Sequence, residues 1–189
     1  MKIVLIRHGE SEANRLSLKP EGFLCGRWDC ELTEKGLEQA LSLRGNPSIA
    51  EAEAFFCSPL KRTLQTIAAF TDNEYIVDNR IQERTMGDFD GHTVSELFDN
   101  PIYFKYFHGD QTDFRASFIT SAPKGENYSD VEKRVGSFLE GLKKKDYNKV
   151  VIVSHYVAIR CMIKIINGLS EEDTLKLRVH QCEPIELVL

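Results

Sequence analysis

Two histidines and two arginines stand at or just after stretches of sequence that are typical of buried strands. Arg7 ends the apolar stretch KIVLIR and His8 follows it, while His155 follows KVVIVS at 149–154. Arg62 lies in the first turn of a helix predicted after a shorter apolar stretch at 54–57. The carboxyl ends of parallel strands share one edge of a sheet, where ligands bind. These four side chains are therefore expected to converge.

The chemistry that suits this set is the binding and transfer of an anionic group with several oxygens. Each arginine presents a planar fork of donors that matches two oxygens of a phosphate, and it keeps its charge. Helix N-termini predicted after Ser58 and His155 add free N–H groups and favourable dipole ends. A histidine can attack phosphorus through a neutral ring nitrogen, or donate to phosphate oxygens when charged. Two histidines allow both roles.

The same residues carry a resemblance that extends over most of the chain. RHGESEAN at 7–14 resembles the R-H-G-x-x-x-x-N signature of the histidine phosphatase superfamily, in its phosphoglycerate-mutase-like branch. Residues 25–36 resemble the C-G-x-x-D-x-x-L-T-x-x-G stretch of that branch, and residues 58–66 resemble its S-P-L-x-R-T-x-Q-T motif. Glu83-x-x-x-Gly87-x-x-x-Gly91 and Ser154-His155 follow in the expected order.

The resemblance implies a two-step phosphoryl transfer that needs no metal or other cofactor. His8 would take the phosphoryl group and pass it to water or to a second hydroxyl. The resemblance further implies contacts to the transferred group or the substrate from Arg7, Arg62, His155, Asn14, Cys25 and Gly26. By its position in the motif, Glu83 matches the family's proton donor. A carboxyl group beside a phosphate dianion is expected to stay protonated near neutral pH, because like-charge repulsion raises its pKa. Asp88 and Glu126 are competing carboxylates outside the position that the motif assigns.

The pattern of apolar stretches predicts an α/β fold with a mainly parallel central sheet and helices on both faces. Five strands are predicted, at 2–7, 54–57, 75–77, 149–154 and 185–189. We expect one histidine-phosphatase-like domain over 1–189, with the phosphoglycerate mutase-like fold that the resemblance implies. The aromatic-rich stretch at about 84–123 is expected to form a small cap over the carboxyl edge of the sheet, its aromatics packed into a core of their own.

Helix signals stand between the predicted strands. Thr33 and Ser170 are expected N-caps, and Ser58 is expected to cap a helix with Pro59 at its first position. On that helix Leu60, Leu64, Ile67 and Ala68 are expected to share one apolar stripe. Val131, Val135, Phe138, Leu139 and Leu142 form an amphipathic face, and residues 156–166 are apolar nearly all round.

Composition excludes several other classes of protein. Twenty-nine acidic against 24 basic residues give a net charge of −5, so no general cationic field favours nucleic acid. Apolar runs such as Ile3–Ile6 are four residues long, against roughly 20 needed to cross a bilayer. The five cysteines form no C-x-x-C pair, which favours reduced thiols. A cytoplasmic protein with a small phosphate ester as its partner is expected; no pattern indicates an oligomeric state.

Hydrolysis is the favoured reaction, and phosphoglycerate mutase activity is the alternative. The mutases that this chain resembles carry a tyrosine three residues after the acid and an arginine pair in a longer cap. This chain has Met86 at the first position and isolated Lys105 and Arg115 in the cap. Tyr156 replaces the usual glycine after the second histidine, and would either narrow the pocket or point away. A binding module and a metallohydrolase remain weaker alternatives, the latter without a histidine or carboxylate pair at i, i+4.

Overall fold

The computed structural model describes residues 1–189 and contains seven strands and eight α-helices, with three single-turn 3₁₀-helices at Asn79–Ile81, Gly87–Phe89 and Phe114–Ala116. The strands are Lys2–Arg7 (β1), Phe23–Leu24 (β2), Ala54–Cys57 (β3), Ile76–Val77 (β4), His92–Thr93 (β5), Lys149–Ser154 (β6) and Ile185–Val188 (β7). The helices are Glu12–Ser17 (α1), Glu34–Leu41 (α2), Lys61–Phe70 (α3), Val94–Phe98 (α4), Phe104–Phe107 (α5), Tyr128–Leu142 (α6), Tyr156–Asn167 (α7) and Glu171–Lys176 (α8).

The central sheet has the order β4-β3-β6-β1-β7 and is parallel except for β7. All five predicted strands are present in it. Along β1 and β6 the register runs from Lys2 opposite Lys149 to Arg7 opposite Ser154. The two strands therefore end side by side, so His8 and His155 leave the same edge of the sheet.

Helices cover both faces of the sheet, as predicted, because the side chains of its strands alternate between two apolar clusters. On one face Ile3 and Ile152 pack against Val135 and Phe138 of α6 and against α7. On the other face Val4, Ile6, Val151 and Val153 pack against Ile67 and Phe70 of α3. The strands are buried on both sides, which explains their unbroken apolar sequences.

Between β4 and α6 the chain forms short elements and a third apolar cluster. Phe89 packs edge-on against Tyr103, Tyr106 and Phe114, with ring centroids 5.0 to 5.4 Å apart. Phe118 differs, since it joins the main core beside α6 and α7. The expected small core is therefore formed by Phe89, Tyr103, Tyr106, Phe107 and Phe114, whereas Phe98 and Phe104 are exposed and lie outside it. The cap assigned to 84–123 stays a prediction.

The predicted start of α3 is wrong. The helix begins at Lys61 with Leu60 as its N-cap, and Ser58 does not cap it. A contact with a distant part of the chain replaces the cap, because the Ser58 hydroxyl lies 2.7 Å from a ring nitrogen of His155. Ala68 is exposed and so does not belong to the buried face of the helix.

The other predicted helix signals are confirmed. Thr33 caps α2 and Ser170 caps α8. The predicted face of α6 is buried, and α7 is buried over most of its length. Helix α1 and the two-stranded sheet of β2 and β5 were not predicted from the sequence.

Candidate active site

His8 and His155 face each other at the carboxyl edge of the sheet. Their ring centroids are 5.2 Å apart and their planes are inclined by 60°. The backbone N–H of His8 donates to the backbone carbonyl of Ser154 at 3.1 Å, which continues the β1–β6 ladder past the end of β1. Both side chains are buried, His8 with 4% and His155 with 0% of its surface exposed.

The surroundings of His8 fix which of its ring nitrogens is free. Nδ1 lies 2.7 Å from the carbonyl oxygen of Gly9, which can only accept, so Nδ1 carries the proton. Nε2 is left with its lone pair. Burial, with the positive charges of Arg62 and Arg7, holds the pKa of His8 well below 6.5. His8 is therefore a neutral imidazole with a nucleophilic nitrogen.

The His155 ring is held by the Ser58 hydroxyl. Its Nε2 lies 2.7 Å from Oγ of Ser58, which accepts from the Leu60 N–H at 3.5 Å. The Ser58 proton is thus available to Nε2, and we assign the His155 proton to Nδ1, which has no hydrogen-bond partner. Burial and the charge of Arg62 hold the pKa of His155 well below 6.5.

The two arginines beside the histidines are fixed by backbone carbonyls. Arg62 donates from Nη2 to Gly26 at 2.7 Å and from Nη1 to Trp28 at 3.0 Å. Arg7 donates from Nη1 to Val179 at 2.9 Å, and its Nε is buried without a partner. The buried side-chain nitrogens and oxygens that lack a partner are this Nε and Nδ1 of His155. Two unpartnered donors at one site suit an anion.

Glu83 reaches the same place from the segment after β4. Its carboxylate accepts from the Arg84 N–H at 2.8 Å and from the Val157 N–H at the start of α7 at 3.3 Å. Only 9% of its surface is exposed. Its backbone carbonyl accepts from Arg27 at 3.0 Å and from Arg134 at 3.1 Å.

The competing carboxylates lie elsewhere. Glu126 pairs with Arg134 at 2.9 Å and with Arg27 at 3.1 Å, and these hydrogen bonds and charges hold its pKa below the usual range in spite of burial. Asp88 pairs with Lys124 at 3.0 Å. Neither carboxylate lines the cavity that contains His8 and Glu83. Glu83 is thus the carboxyl group placed to exchange a proton there.

Asn14, Cys25 and Gly26 take different positions. The Asn14 oxygen accepts from Ser11, as part of the capping box of α1, and from Gln181 at 2.9 Å, so its amide nitrogen remains for a ligand. Cys25 lines the cavity, and its contact with the Cys30 thiol together with burial raises its pKa. Gly26 does not line the cavity, since its N–H is taken by Asp90 and its carbonyl by Arg62.

The cavity beside His8 has a volume of about 320 Å³, and of the predicted site residues it is lined by Arg7, His8, Asn14, Cys25, Arg62 and Glu83. His155 is fully buried and does not line it. The cavity walls also include residues that sequence reasoning did not assign to the site or left undecided: Ser11, Ser17, Arg84, Met86, Tyr156 and Val157. Arg84 is only 6% exposed and donates to the carbonyls of Phe114 and Arg115. Its position directly after Glu83 in the sequence was the signal that could have placed Arg84 in the site.

The Tyr156 ring turns toward the site. Two guanidinium groups contact it, with distances to the ring centroid of 4.9 Å from Arg7 and 4.3 Å from Arg160. Its hydroxyl lies 3.3 Å from the Leu177 carbonyl. The ring therefore forms both a cavity wall and a platform for Arg7.

No three His, Cys, Asp or Glu side chains lie close enough together to hold a metal ion. None of the helices has the length and apolar character that crossing a membrane requires.

The fold and the site together define an enzyme of phosphoryl transfer through histidine. A family model of the histidine phosphatase superfamily (branch 1) matches residues 3–189, and the chain belongs to this superfamily. It is 35% identical over 179 residues to phosphoserine phosphatase 1 of Hydrogenobacter thermophilus, covering 90% of this chain and 78% of the relative. It is 27% identical over 191 residues to the probable phosphoglycerate mutase GpmB of Enterobacter sp., covering 96% and 82%.

Solved structures show the same fold. The alpha-ribazole phosphatase of Shigella flexneri superposes with a TM-score of 0.82 at 26% identity, covering 98% of this chain and 89% of that one. Phosphoserine phosphatase of Entamoeba histolytica, in complex with 3-phosphoglyceric acid, superposes with a TM-score of 0.75 at 25% identity, covering 99% and 90%. The predicted fold class and family are confirmed.

Proposed function

We propose that this chain is a phosphatase that hydrolyses small phosphate monoesters through a phosphohistidine on His8. The observation that carries the proposal is the state of His8, a buried neutral imidazole whose Nδ1 proton is held by Gly9. Its free Nε2 borders a cavity also lined by Arg7, Arg62 and Glu83. A nucleophile, cationic donors and a proton donor are the groups that such a reaction requires.

In the first step Nε2 of His8 attacks phosphorus and the bond between phosphorus and the ester oxygen breaks. The electron pair of that bond goes to the leaving oxygen, which takes the proton of Glu83. Charge on the equatorial oxygens is stabilised by Arg7, Arg62, Nδ1 of His155 and the amide nitrogen of Asn14. Positioning and cationic donors contribute most of the rate in a loose phosphoryl-transfer transition state.

In the second step a water molecule attacks the phosphoryl group on His8. The carboxylate of Glu83 takes a proton from this water, and the bond between phosphorus and Nε2 breaks. Inorganic phosphate leaves, with His8 neutral and Glu83 protonated again. The same carboxyl group thus serves as acid and then as base.

Hydrolysis is favoured over mutase activity by the side chains of the predicted cap. A mutase must hold its product alcohol for a second transfer, which for phosphoglycerates requires groups that bind a further phosphate. Two residues of the predicted cap line the cavity, Arg84 and Met86. Both Nη atoms of Arg84 already donate to backbone carbonyls, and Met86 offers no charge to bind a phosphate. We infer that the substrate is a small ester, such as the phosphoserine named for two of the relatives. We also infer that the protein works in the cytoplasm, where free cysteines are the rule.

A panel of phosphate esters tests the proposal. The purified protein, with a chelator present, is given phosphoserine, phosphoglycerate and an aryl phosphate, and release of phosphate is measured. We expect release of phosphate, lost in His8→Ala and kept in His92→Ala, whose ring is half exposed beside Glu96. Conversion between phosphoglycerates that outpaces phosphate release would instead establish the mutase. Phosphate release at the wild-type rate by His8→Ala would refute covalent catalysis through this residue.

A further inference from the structure

The carboxylate of Asp90 accepts hydrogen bonds from two separate segments of the chain. Its Oδ1 accepts from the backbone N–H groups of Gly26 and Trp28, and its Oδ2 from those of Arg27 and Met86 and from the Thr85 hydroxyl. Three successive N–H groups that converge on one point form an anion-binding nest. Here the bound anion is a side chain of the same protein, which ties residues 26–28 to residues 85–86.

The segment of residues 26–28 contacts both reacting groups. The carbonyls of Gly26 and Trp28 receive the two Nη atoms of Arg62, at 2.7 and 3.0 Å. The Arg27 Nε donates to the backbone carbonyl of Glu83 at 3.0 Å. The loop fixed by Asp90 therefore supports the guanidinium on one side of the cavity and the proton donor on the other.

We propose that Asp90 is a positioning residue that sets the placement of the Arg62 guanidinium relative to the Glu83 carboxyl. The inference rests on the proposed phosphatase function. An ionised carboxylate only accepts hydrogen bonds, so it satisfies all five donors at once. An asparagine offers one accepting oxygen, and its NH₂ group would face N–H groups that need an acceptor. The loop must then shift, and both reacting groups lose their support.

The variant Asp90→Asn tests this with Asp88→Asn as its matched control. Asp88 lies two residues away, pairs with Lys124 and does not line the cavity. Kinetics are measured with an aryl and an alkyl phosphate, and binding of inorganic phosphate is measured by calorimetry. We expect Asp90→Asn to weaken phosphate binding by about tenfold, because Arg62 moves. Asp88→Asn should match the wild type.

The ratio of the activities on the alkyl and the aryl phosphate reports on Glu83, separately from phosphate affinity. An aryl leaving group departs with little help from an acid, whereas an alkoxide needs the proton. Asp90→Asn should therefore lose more activity on the alkyl phosphate than on the aryl phosphate, in the same direction as Glu83→Gln. Asp90→Glu, which keeps the charge, should recover part of both losses. Unchanged phosphate affinity together with an unchanged alkyl-to-aryl ratio in folded Asp90→Asn would overturn the proposal.

Amide hydrogen exchange of the wild-type protein tests the nest without any variant. The N–H groups of Gly26, Arg27 and Trp28 should exchange slowly although they lie outside helices and strands, and rapid exchange at all three would overturn the proposal. Calorimetry with inorganic phosphate requires no turnover. A protein whose phosphate affinity falls in Asp90→Asn but which hydrolyses no ester would refute the proposed function and leave the role of Asp90 standing.

Discussion

Replacing Ser58 with alanine should reduce activity by disorienting His155 while the catalytic groups themselves remain. The Ser58 hydroxyl is the one partner of the His155 ring, at 2.7 Å, and neither side chain has exposed surface. Without it the imidazole is free to carry its proton on either nitrogen. The donor that faces the phosphoryl oxygens is then no longer assured.

The size of the effect follows from this single contact. A buried polar group left without its partner costs about 1–3 kcal/mol. The misoriented donor costs the transition state about the same amount again, beyond the loss in the free enzyme, so kcat/KM falls about fivefold to 150-fold, since each factor of ten corresponds to about 1.4 kcal/mol. The free energy of unfolding should fall by a similar amount.

Ser154→Ala is the matched control. Ser154 is equally buried at the end of the neighbouring strand and donates to the Ile81 carbonyl, also at 2.7 Å. Its loss should lower stability as much as Ser58→Ala but leave kcat/KM within about twofold of the wild type, because no ring depends on it. Kinetics on an aryl phosphate with urea unfolding curves compare the two. Equal losses of activity in both variants would refute the assigned role of Ser58.

Two further predictions concern protonation and the Arg7 platform. Burial and nearby arginines hold the pKa values of His8 and His155 well below 6.5, so protonation of neither histidine should lower kcat/KM until the pH is well under 6.5. A pH–rate profile in which kcat/KM falls around pH 6.5, as for an ordinary histidine, would contradict this. The same shifts make the free energy of unfolding fall as pH drops below 6.5, since the unfolded chain takes up protons first, which urea titrations at two pH values measure. Tyr156→Gly should weaken binding of inorganic phosphate by about twofold to thirtyfold, whereas Tyr156→Phe keeps the ring under Arg7 and should bind normally in calorimetry.

Much of this architecture could be predicted because its signals are local. KIVLIR and KVVIVS are apolar without alternation, which is what burial on both faces of a parallel sheet requires. Once those strands are recognised, the residues that follow them must share an edge. His8 and His155 therefore meet in the structure as the sequence predicted, with no contact information needed.

The features that sequence reasoning missed depend on distant parts of the chain. Ser58 has the pattern of a helix cap, but a histidine 97 positions away occupies its hydroxyl. The carboxylate of Asp90 takes its donors from residues 26–28, some 60 positions earlier in the chain, and nothing in the sequence around it indicates that contact. Strands β2 and β5 have two residues each, too few for any periodicity to appear.

Trapping the covalent intermediate tests the central claim most directly. The protein is mixed with a phosphate ester labelled in its phosphoryl group, quenched in alkali within milliseconds, digested and analysed by mass spectrometry. The account predicts a phosphoramidate, stable in base and labile in acid, on the peptide that contains His8, and none in His8→Ala. Phosphate released by an active enzyme with no label on that peptide, or with the label on a serine or cysteine, would contradict it.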